Sequence, residues 1–544
     1  MGNIKIIAYS LITTIFVSVC CTGCKHKNED SSEKEAVCYA VNIPNTKPSK
    51  EINDGEKLIE RFVNLKINNV ERINFDVIGA ENLDKNIVFH ESYTRLEGVT
   101  TFRGNNYRTS PSYGKCEIKE KKLEAQWKFT TSSSTWGGGA GWTGQPSIVK
   151  WPESLRRSMN IKDEFKENKD FTEVIYSSLD GNIYFLDLET GKPSRDKVYV
   201  GNPIKGTLTI DPRGIPLLYV GEGINERDVV GLNIFSLIDG KKLYELRGWD
   251  GNAYRGWPAF DSSPLIHAAT DTLIEGGENG ILYIMKLNTN YDADASSISI
   301  EPKITKYRYR ISESQGLLGI ENSVAIYSNL LYFADNNGYI QCIDLNTMKP
   351  IWMFDGGDDT DASITIDVEN NIPYLYTGTE VDIQGAKGVS TLKKINGLKG
   401  EEVWSKKMQC ESLIGNDPVN GGLLATNIIG KNKLSDRVIF SLARYKGFNR
   451  GAVISMSKTS GEILWETELD NYMWSSPVDF YDEEGNGYII QCDSAGNMFL
   501  MDGITGRILD KVNLSSNIES SPAIFNNKVV VATRGGLVCS VKIK

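Results

Sequence analysis

The sequence predicts an all-β fold, an eight-bladed β-propeller of four-stranded antiparallel blades, from three signatures that recur along its 544 residues. The first is a hairpin. Apolar, aromatic-rich runs at 174–179 and 183–188 flank Asp180-Gly181, a dipeptide suited to a two-residue turn whose central positions both need φ > 0. The same order returns around Asn337-Gly338, Gly496-Asn497 and Gly535-Gly536. The second signature is a Ser-rich strand start. Asp261-Ser262-Ser263-Pro264, Trp474-Ser475-Ser476-Pro477 and Glu519-Ser520-Ser521-Pro522 show it most clearly. Glu321-Asn322-Ser323-Val324 and Asp361-Ala362-Ser363-Ile364 are variants. Thr143-Gly144-Gln145-Pro146, Thr207-Leu208-Thr209-Ile210 and Asn420-Gly421-Gly422-Leu423 complete eight starts, 40 to 64 residues apart, one per blade. The third signature closes the unit. Asp344, Asn396 and Ser457 each stand eight residues before a Trp (Trp352, Trp404, Trp465), and Asp502 stands eight before Asp510. A flat indole at that place can fill the wedge between neighbouring blades.

The last repeat ends at Lys544 without an outer strand. Residues 123–129, with Trp127, carry the outer-strand pattern upstream of the first start. This N-terminal strand is therefore expected to close the ring, which removes the open sheet edges.

Ahead of the propeller the chain has three parts. Residues 1–24 read as a signal peptide: Lys5, an apolar run at 6–19, then Cys20-Cys21-Thr22-Gly23-Cys24. Gly23-Cys24 resembles a bacterial lipobox with Cys24 as the lipidated residue, although Cys21 stands where Leu is usual, and Cys20 and Cys21 stay as alternatives. Residues 25–55, rich in Lys, Glu, Asn and Ser, read as a disordered tether. Residues 56–99 form a small extension, and Leu58, Ile59, Phe62, Val63 and Leu65 give it the weak period of a helical or mixed cap. The propeller takes 100–544. Beyond the signal region the six Cys are widely spaced, which predicts no disulfide framework; Cys342, Cys492 and Cys539 sit in apolar runs as buried thiols.

The hairpin, the Ser-rich start and the Asp–Thr-Gly–Trp closure together resemble the quinoprotein-type (PQQ-like) propeller repeat over roughly 100–544. Residues 101–109, which begin Thr101-Phe102-Arg103-Gly104, resemble the lead-in found ahead of such propellers. With the lipobox and tether, the chain is similar to the propeller lipoproteins of outer-membrane β-barrel assembly. That resemblance implies a non-enzymatic binding or scaffold protein, held to the cell membrane by lipid outside the cytoplasm, with a protein partner. A quinone-dependent dehydrogenase is the first alternative. Such enzymes stack their cofactor on a vicinal Cys-Cys disulfide, and the one adjacent pair here, Cys20-Cys21, lies in the signal region, so neither PQQ nor calcium is expected as a cofactor. A carbohydrate- or cell-wall-binding propeller is the second alternative.

The candidate ligand site is the channel mouth, where blade-connecting loops gather. Trp136 and Trp142 in a Gly-rich loop, Trp257 and Trp474 give it an aromatic lining suited to a peptide, a sugar or a planar ligand. Asp261, Glu321, Asp361 and Glu519 take equivalent first positions in four starts and would ring the mouth, as a site for a cation or a basic segment. The plainer alternatives are that the Trp pack loops onto blades and that each carboxylate accepts from nearby backbone. A net charge of −10 argues against nucleic acid, and three His leave little material for His-based catalysis or a metal centre. No catalytic residue is assigned.

Overall fold

Eight antiparallel meanders follow one another along the chain as the blades of a propeller. Their first strands are Ser147–Lys150, Thr209–Ile210, Leu265–His267, Ala325–Tyr327, Thr365–Glu369, Ile428–Ile429, Val478–Tyr481 and Ala523–Phe525, which begin blades 1 to 8. The computed structural model describes residues 61–544 except 63–64, 143, 224–225, 227–228, 313–315, 317 and 416–417. The signal peptide at 1–24, with Cys24, and the tether at 25–55 lie outside the described residues. Second and third strands such as Leu217–Gly221 and Gly231–Ser236 are buried throughout. Neighbouring blades cover both faces of these strands, so their sequences run apolar without alternation.

The hairpins differ from the expected two-residue form. Gly181, Gly338, Gly496 and Gly536 have φ of 76, 79, 82 and 79°, whereas Asp180, Asn337 and Asn497 keep negative φ. The Gly181 N–H donates to Ser178 O (3.0 Å) and the Ser178 N–H to Asn182 O (2.9 Å). This is an ordinary turn finished by one left-handed glycine, so a single position requires φ > 0.

Closing tryptophans latch four of the blades, 4, 5, 6 and 8, to the next. Trp127, Trp352, Trp404 and Trp465 donate their indole N–H to Leu188 O, Gly397 O, Lys458 O and Gly503 O at 2.9, 2.8, 3.0 and 3.1 Å. Each ring lies on the turn glycine of the following blade. A Cβ at Gly191, Gly400, Gly461 or Gly506 would come within 2.6, 2.6, 2.8 and 2.4 Å of it. A β-bulge sits just before the latch position in each of these outer strands and aims the ring sideways. In blade 7 Asp510 replaces the ring and accepts from the Leu123 N–H (2.8 Å), which fastens that blade to the closing strand.

The Ser-rich starts form a hydrogen-bonded belt. The backbone N–H of Gln145 donates to Thr207 Oγ1 (2.9 Å), that of Thr207 to Ser263 Oγ (3.2 Å), that of Ser263 to Ser323 Oγ (3.0 Å) and that of Ser323 to Ser363 Oγ (2.9 Å). Thr426 donates likewise to Ser476 Oγ (3.0 Å), and Ser521 to Gly144 O (2.9 Å). A small hydroxyl is the acceptor that fits where inner strands converge. The belt also corrects the sixth start, which lies at Thr426 and not at Asn420-Gly421-Gly422-Leu423. Gly421–Gly422 instead pairs with Glu380–Val381 of blade 5.

Leu123–Thr130 pairs antiparallel with Leu537–Ile543 and completes blade 8 as expected. Of the extension before residue 100, residues 56–60 and 63–64, with Leu58, Ile59 and Val63 of the expected cap, lie outside the described residues, and the described part runs along the blades as a strap. Among the described residues of its helical-looking stretch there is only one 3-10 turn, Val70–Arg72. Asn74–Ile78 joins the outer edge of blade 3 and Glu97–Val99 pairs with Ser147–Lys150. Ile87 and Phe89 are buried in the core between blades 3 and 4, where apolar burial outweighs a weak helical period.

Residues 100–113 then plug the axis. Thr100 O, Asn106 O, Tyr107 O and Pro111 O accept from Ile210, Ile326, Ile366 and Ile524, at 2.8, 2.8, 3.0 and 3.2 Å. Arg108 donates to Ser263 O and Val324 O (both 2.8 Å); Arg103 donates to Asn427 O (2.8 Å) and Pro477 O (2.5 Å). The Arg103 N–H reaches Gln145 Oε1 (2.7 Å), so every blade bonds to this one segment.

Two variants test these devices by chemical denaturation. Trp352→Ala should cost about 3–5 kcal/mol, as large aromatic truncations in packed cores do. Arg103→Met leaves two buried carbonyls without donors and should cost on the order of 2–6 kcal/mol. Wild-type midpoints in both would remove the latch and the plug as stabilising elements.

Candidate functional site

In an antiparallel meander, the loop that enters a blade and the turn between its second and third strands emerge at the same end. The plug bonds to inner strands at and beyond Ser263, Val324 and Pro477, past the ends of the connecting loops. It therefore floors the channel and leaves a mouth at the end that carries the predicted site residues.

The four predicted carboxylates do not form an even ring. Asp261 and Glu321 meet Glu278, from the blade 3 turn, with one oxygen of each within 4.8 Å of the others. Lys205 pairs with Asp261, and Arg255 approaches Glu321 at 4.0 Å. Gly223 must lack a side chain here, because a Cβ would strike Asp261 Oδ1. Asp361 belongs to a second group with Asp359 and Glu380, and Asp382 completes it. The Asn336 amide joins the two groups, donating to Glu321 Oε1 (3.0 Å) and Asp359 Oδ2 (3.2 Å). Glu519 stands apart and is satisfied locally by Asn517 (2.8 Å) and by Arg534 (3.6 Å).

Burial dominates the protonation of these groups. It pushes the Asp261 carboxyl up to about 6, helped by the Glu321 charge and opposed by Lys205. Burial and like charges drive Glu278, Asp359, Asp361 and Glu380 well above the carboxylate range. No N–H or hydroxyl donor reaches the buried oxygens Oε1 of Glu278 and Oδ1 of Asp361.

The tryptophans divide in two. Trp136 and Trp257 are 48% and 45% exposed. Trp142 is half-buried and donates to Leu424 O (3.2 Å); Trp474 is half-buried against Tyr472, with ring centroids 5.8 Å apart. Further exposed apolar groups on the same face are Trp249, Ile383, Leu413 and Ile414. Glu278, Asp359, Glu380 and Asp382 are absent from the starts that the sequence reading singled out. Three of them lie in second-to-third-strand turns, and their signal was acidic residues in turns that share an end with the starts.

A stability profile against pH, measured in chelator, tests the buried carboxyls. Their folded pKa values lie above the unfolded ones, so between the two the folded state holds protons that the unfolded state has released. Stability should then fall as pH rises from about 4 through about 6 for Asp261, and further where higher-titrating neighbours ionise. Glu278→Gln should flatten the fall. A profile level or rising from pH 5 to 8 would contradict the burial of charge at the mouth.

No family model matches the chain. One curated relative, the outer membrane protein assembly factor BamB of Kangiella koreensis, is 25% identical over 205 residues, covering 38% of this chain and 42% of the relative, so less than half of that protein is matched. Quinohemoprotein alcohol dehydrogenase from Comamonas testosteroni superposes with a TM-score of 0.54 at 13% identity, over 82% of this chain and 80% of that one. The ADHIIG enzyme of Pseudomonas putida HK5 gives 0.54 at 12% identity over the same shares. BamB from Moraxella catarrhalis gives 0.45 at 15% identity, over 78% of this chain and 98% of that one. The chain has a PQQ-like propeller fold and resembles BamB.

Proposed function

We propose that this protein is a non-enzymatic binding propeller of the cell envelope, anchored through Cys24, which offers its mouth to a protein partner. One observation carries the reading. Trp136, Trp249, Trp257, Ile383, Leu413 and Ile414 are exposed on one face, around a carboxylate-lined centre. Exposed apolar groups bordering polar ones mark association surfaces. The assembly-factor relative supports the envelope setting. No helix among the described residues is long and apolar enough to cross a membrane, and the anchor rests on the lipobox alone. The Phe62 N–H donates to Asn329 Oδ1 (2.8 Å), in a turn at the end opposite the mouth.

The mouth residues do not fit the quinone that dehydrogenases of this fold carry. That cofactor is a planar tricarboxylate, and here it would face Asp261, Glu278, Glu321, Asp359, Asp361 and Glu380 against Lys205 and Arg255. Two cations already engaged by these carboxyl groups leave a tricarboxylate without the positive partners it needs.

Affinity capture from detergent-solubilised envelope tests the reading, with wild type beside the double variant Trp257→Ala, Ile414→Asp. Envelope-assembly proteins should be retained by the first and lost by the second. Equal retention would move the binding surface elsewhere. Dye reduction with added quinone, calcium and an alcohol would end the non-enzymatic reading, and acyl labelling that survives Cys24→Ser would end the assignment of the anchor.

A further inference from the structure

Asp359, Glu380 and Asp382 present one carboxylate oxygen each within 4.8 Å of the others. They come from two segments, the loop entering blade 5 and the turn between its second and third strands. That turn is held firmly. Glu380–Val381 pairs with Gly421–Gly422 of blade 6, and the Gly385 N–H donates to Ser412 Oγ (2.9 Å). Among the described residues no Lys or Arg forms an ion pair with any of the three. Their side-chain donors are amides: Asn420 Nδ2 lies 3.1 Å from both Glu380 oxygens, and Asn336 Nδ2 lies 3.2 Å from Asp359 Oδ2. The other acidic group differs, because Lys205 and Arg255 already counter its charge.

A second observation points into this cluster. Asp361 is 6% exposed, no N–H or hydroxyl donor reaches its Oδ1, and its carboxyl lies in hydrogen-bond reach of the Glu380 carboxyl. The charges that act on it most strongly are Glu380 and then Asp359, so it faces the same space from below. Two buried carboxyl groups, Glu380 and Asp361, beside the half-buried Asp359 and Asp382 and without a counter-charge, hold either protons or a cation.

We propose that Asp359, Glu380 and Asp382, backed by Asp361, bind one hard divalent cation of the calcium class. The donors are all oxygen, which disfavours metals that seek imidazole or thiolate. Several carboxylates, each able to offer one or two oxygens, suit the flexible oxygen shell of calcium, whereas magnesium keeps its waters and takes one or two carboxylates. An ion there ties the loop entering blade 5 to the turn that carries Ile383, and through Gly421–Gly422 to blade 6. It would fix one sector of the apolar rim, yet the site stands whether or not that rim binds a protein.

The test is calcium titration of the purified, chelator-treated protein by calorimetry at pH 7.5, with thermal melts alongside. We expect one ion per chain, a dissociation constant of about 0.1–1 mM or tighter, a raised Tm and weaker magnesium uptake. Glu380→Gln and, separately, the more exposed Asp382→Asn should each weaken calcium at least about tenfold. In chelator their melting should equal or exceed wild type, because each removes a repelled charge. The proposal is overturned by absent uptake at millimolar calcium, by uptake that both variants keep, or by a wild-type Tm that responds to pH but not to calcium, which would show shared protons instead.

Discussion

The inner edge of a propeller is an unsolved backbone problem, and here two arginines solve it. Eight first strands turn one row of N–H and C=O groups toward the axis, where no further strand follows. Buried backbone groups need partners. Residues 100–113 supply them, with Arg103 and Arg108 reaching carbonyls of blades 3, 4, 6 and 7. Both guanidinium groups are fully buried, and burial pulls each down to about 10. Their backbones sit at φ of 56 and 59°, a left-handed conformation that side chains rarely adopt. Such strain persists only where the surroundings fix it, and here those surroundings are all eight blades.

From that constraint the rest of the architecture follows. A plugged axis cannot conduct, so the mouth is a blind recess and not a pore. The parts that turn eight similar modules into one closed object come from residues 61–130: strap, plug and closing strand. The modules fasten to one another by two repeated contacts at different radii. A hydroxyl belt serves where strands converge, and an indole latch where blades splay. Each uses the side chain that its gap admits, small inside and broad outside.

The legible features of the sequence were those with local causes. A turn glycine, a Ser-rich start and a Trp at fixed spacing each answer to the geometry of one blade, so repetition exposed them. Trp127 was legible for the same reason, and it placed the closing strand. The plug was legible only as a lead-in at 101–109 and not in its role, because Arg103 and Arg108 act on carbonyls more than 150 residues away. The sixth start was misplaced because Gly421-Gly422 imitates a strand start while it serves as a bridge to blade 5. Two of the four predicted carboxylates, Asp261 and Glu321, meet in one group and Asp361 joins another, but their partners Glu278, Glu380 and Asp382 come from turns, a class of position that the repeat pattern treats as filler.

The same contrast explains why the mouth is acidic at all. Packing does not require charge at these positions, since Trp474 takes the equivalent first place in the seventh start. The buried carboxylates there oppose folding, since burial raises Asp261, Asp361 and Glu380 against their charged forms. Lys205 and Arg255 offset that opposition on one side of the mouth only. Around Asp359, Asp361 and Glu380 no Lys or Arg among the described residues offsets it, in a loop otherwise tightly held by its neighbours. A fold that stiffens its axis with buried arginines has the means to neutralise a carboxylate where neutrality serves it. Charge concentrated where it does not do so is therefore best read as a demand for something positive from outside the chain.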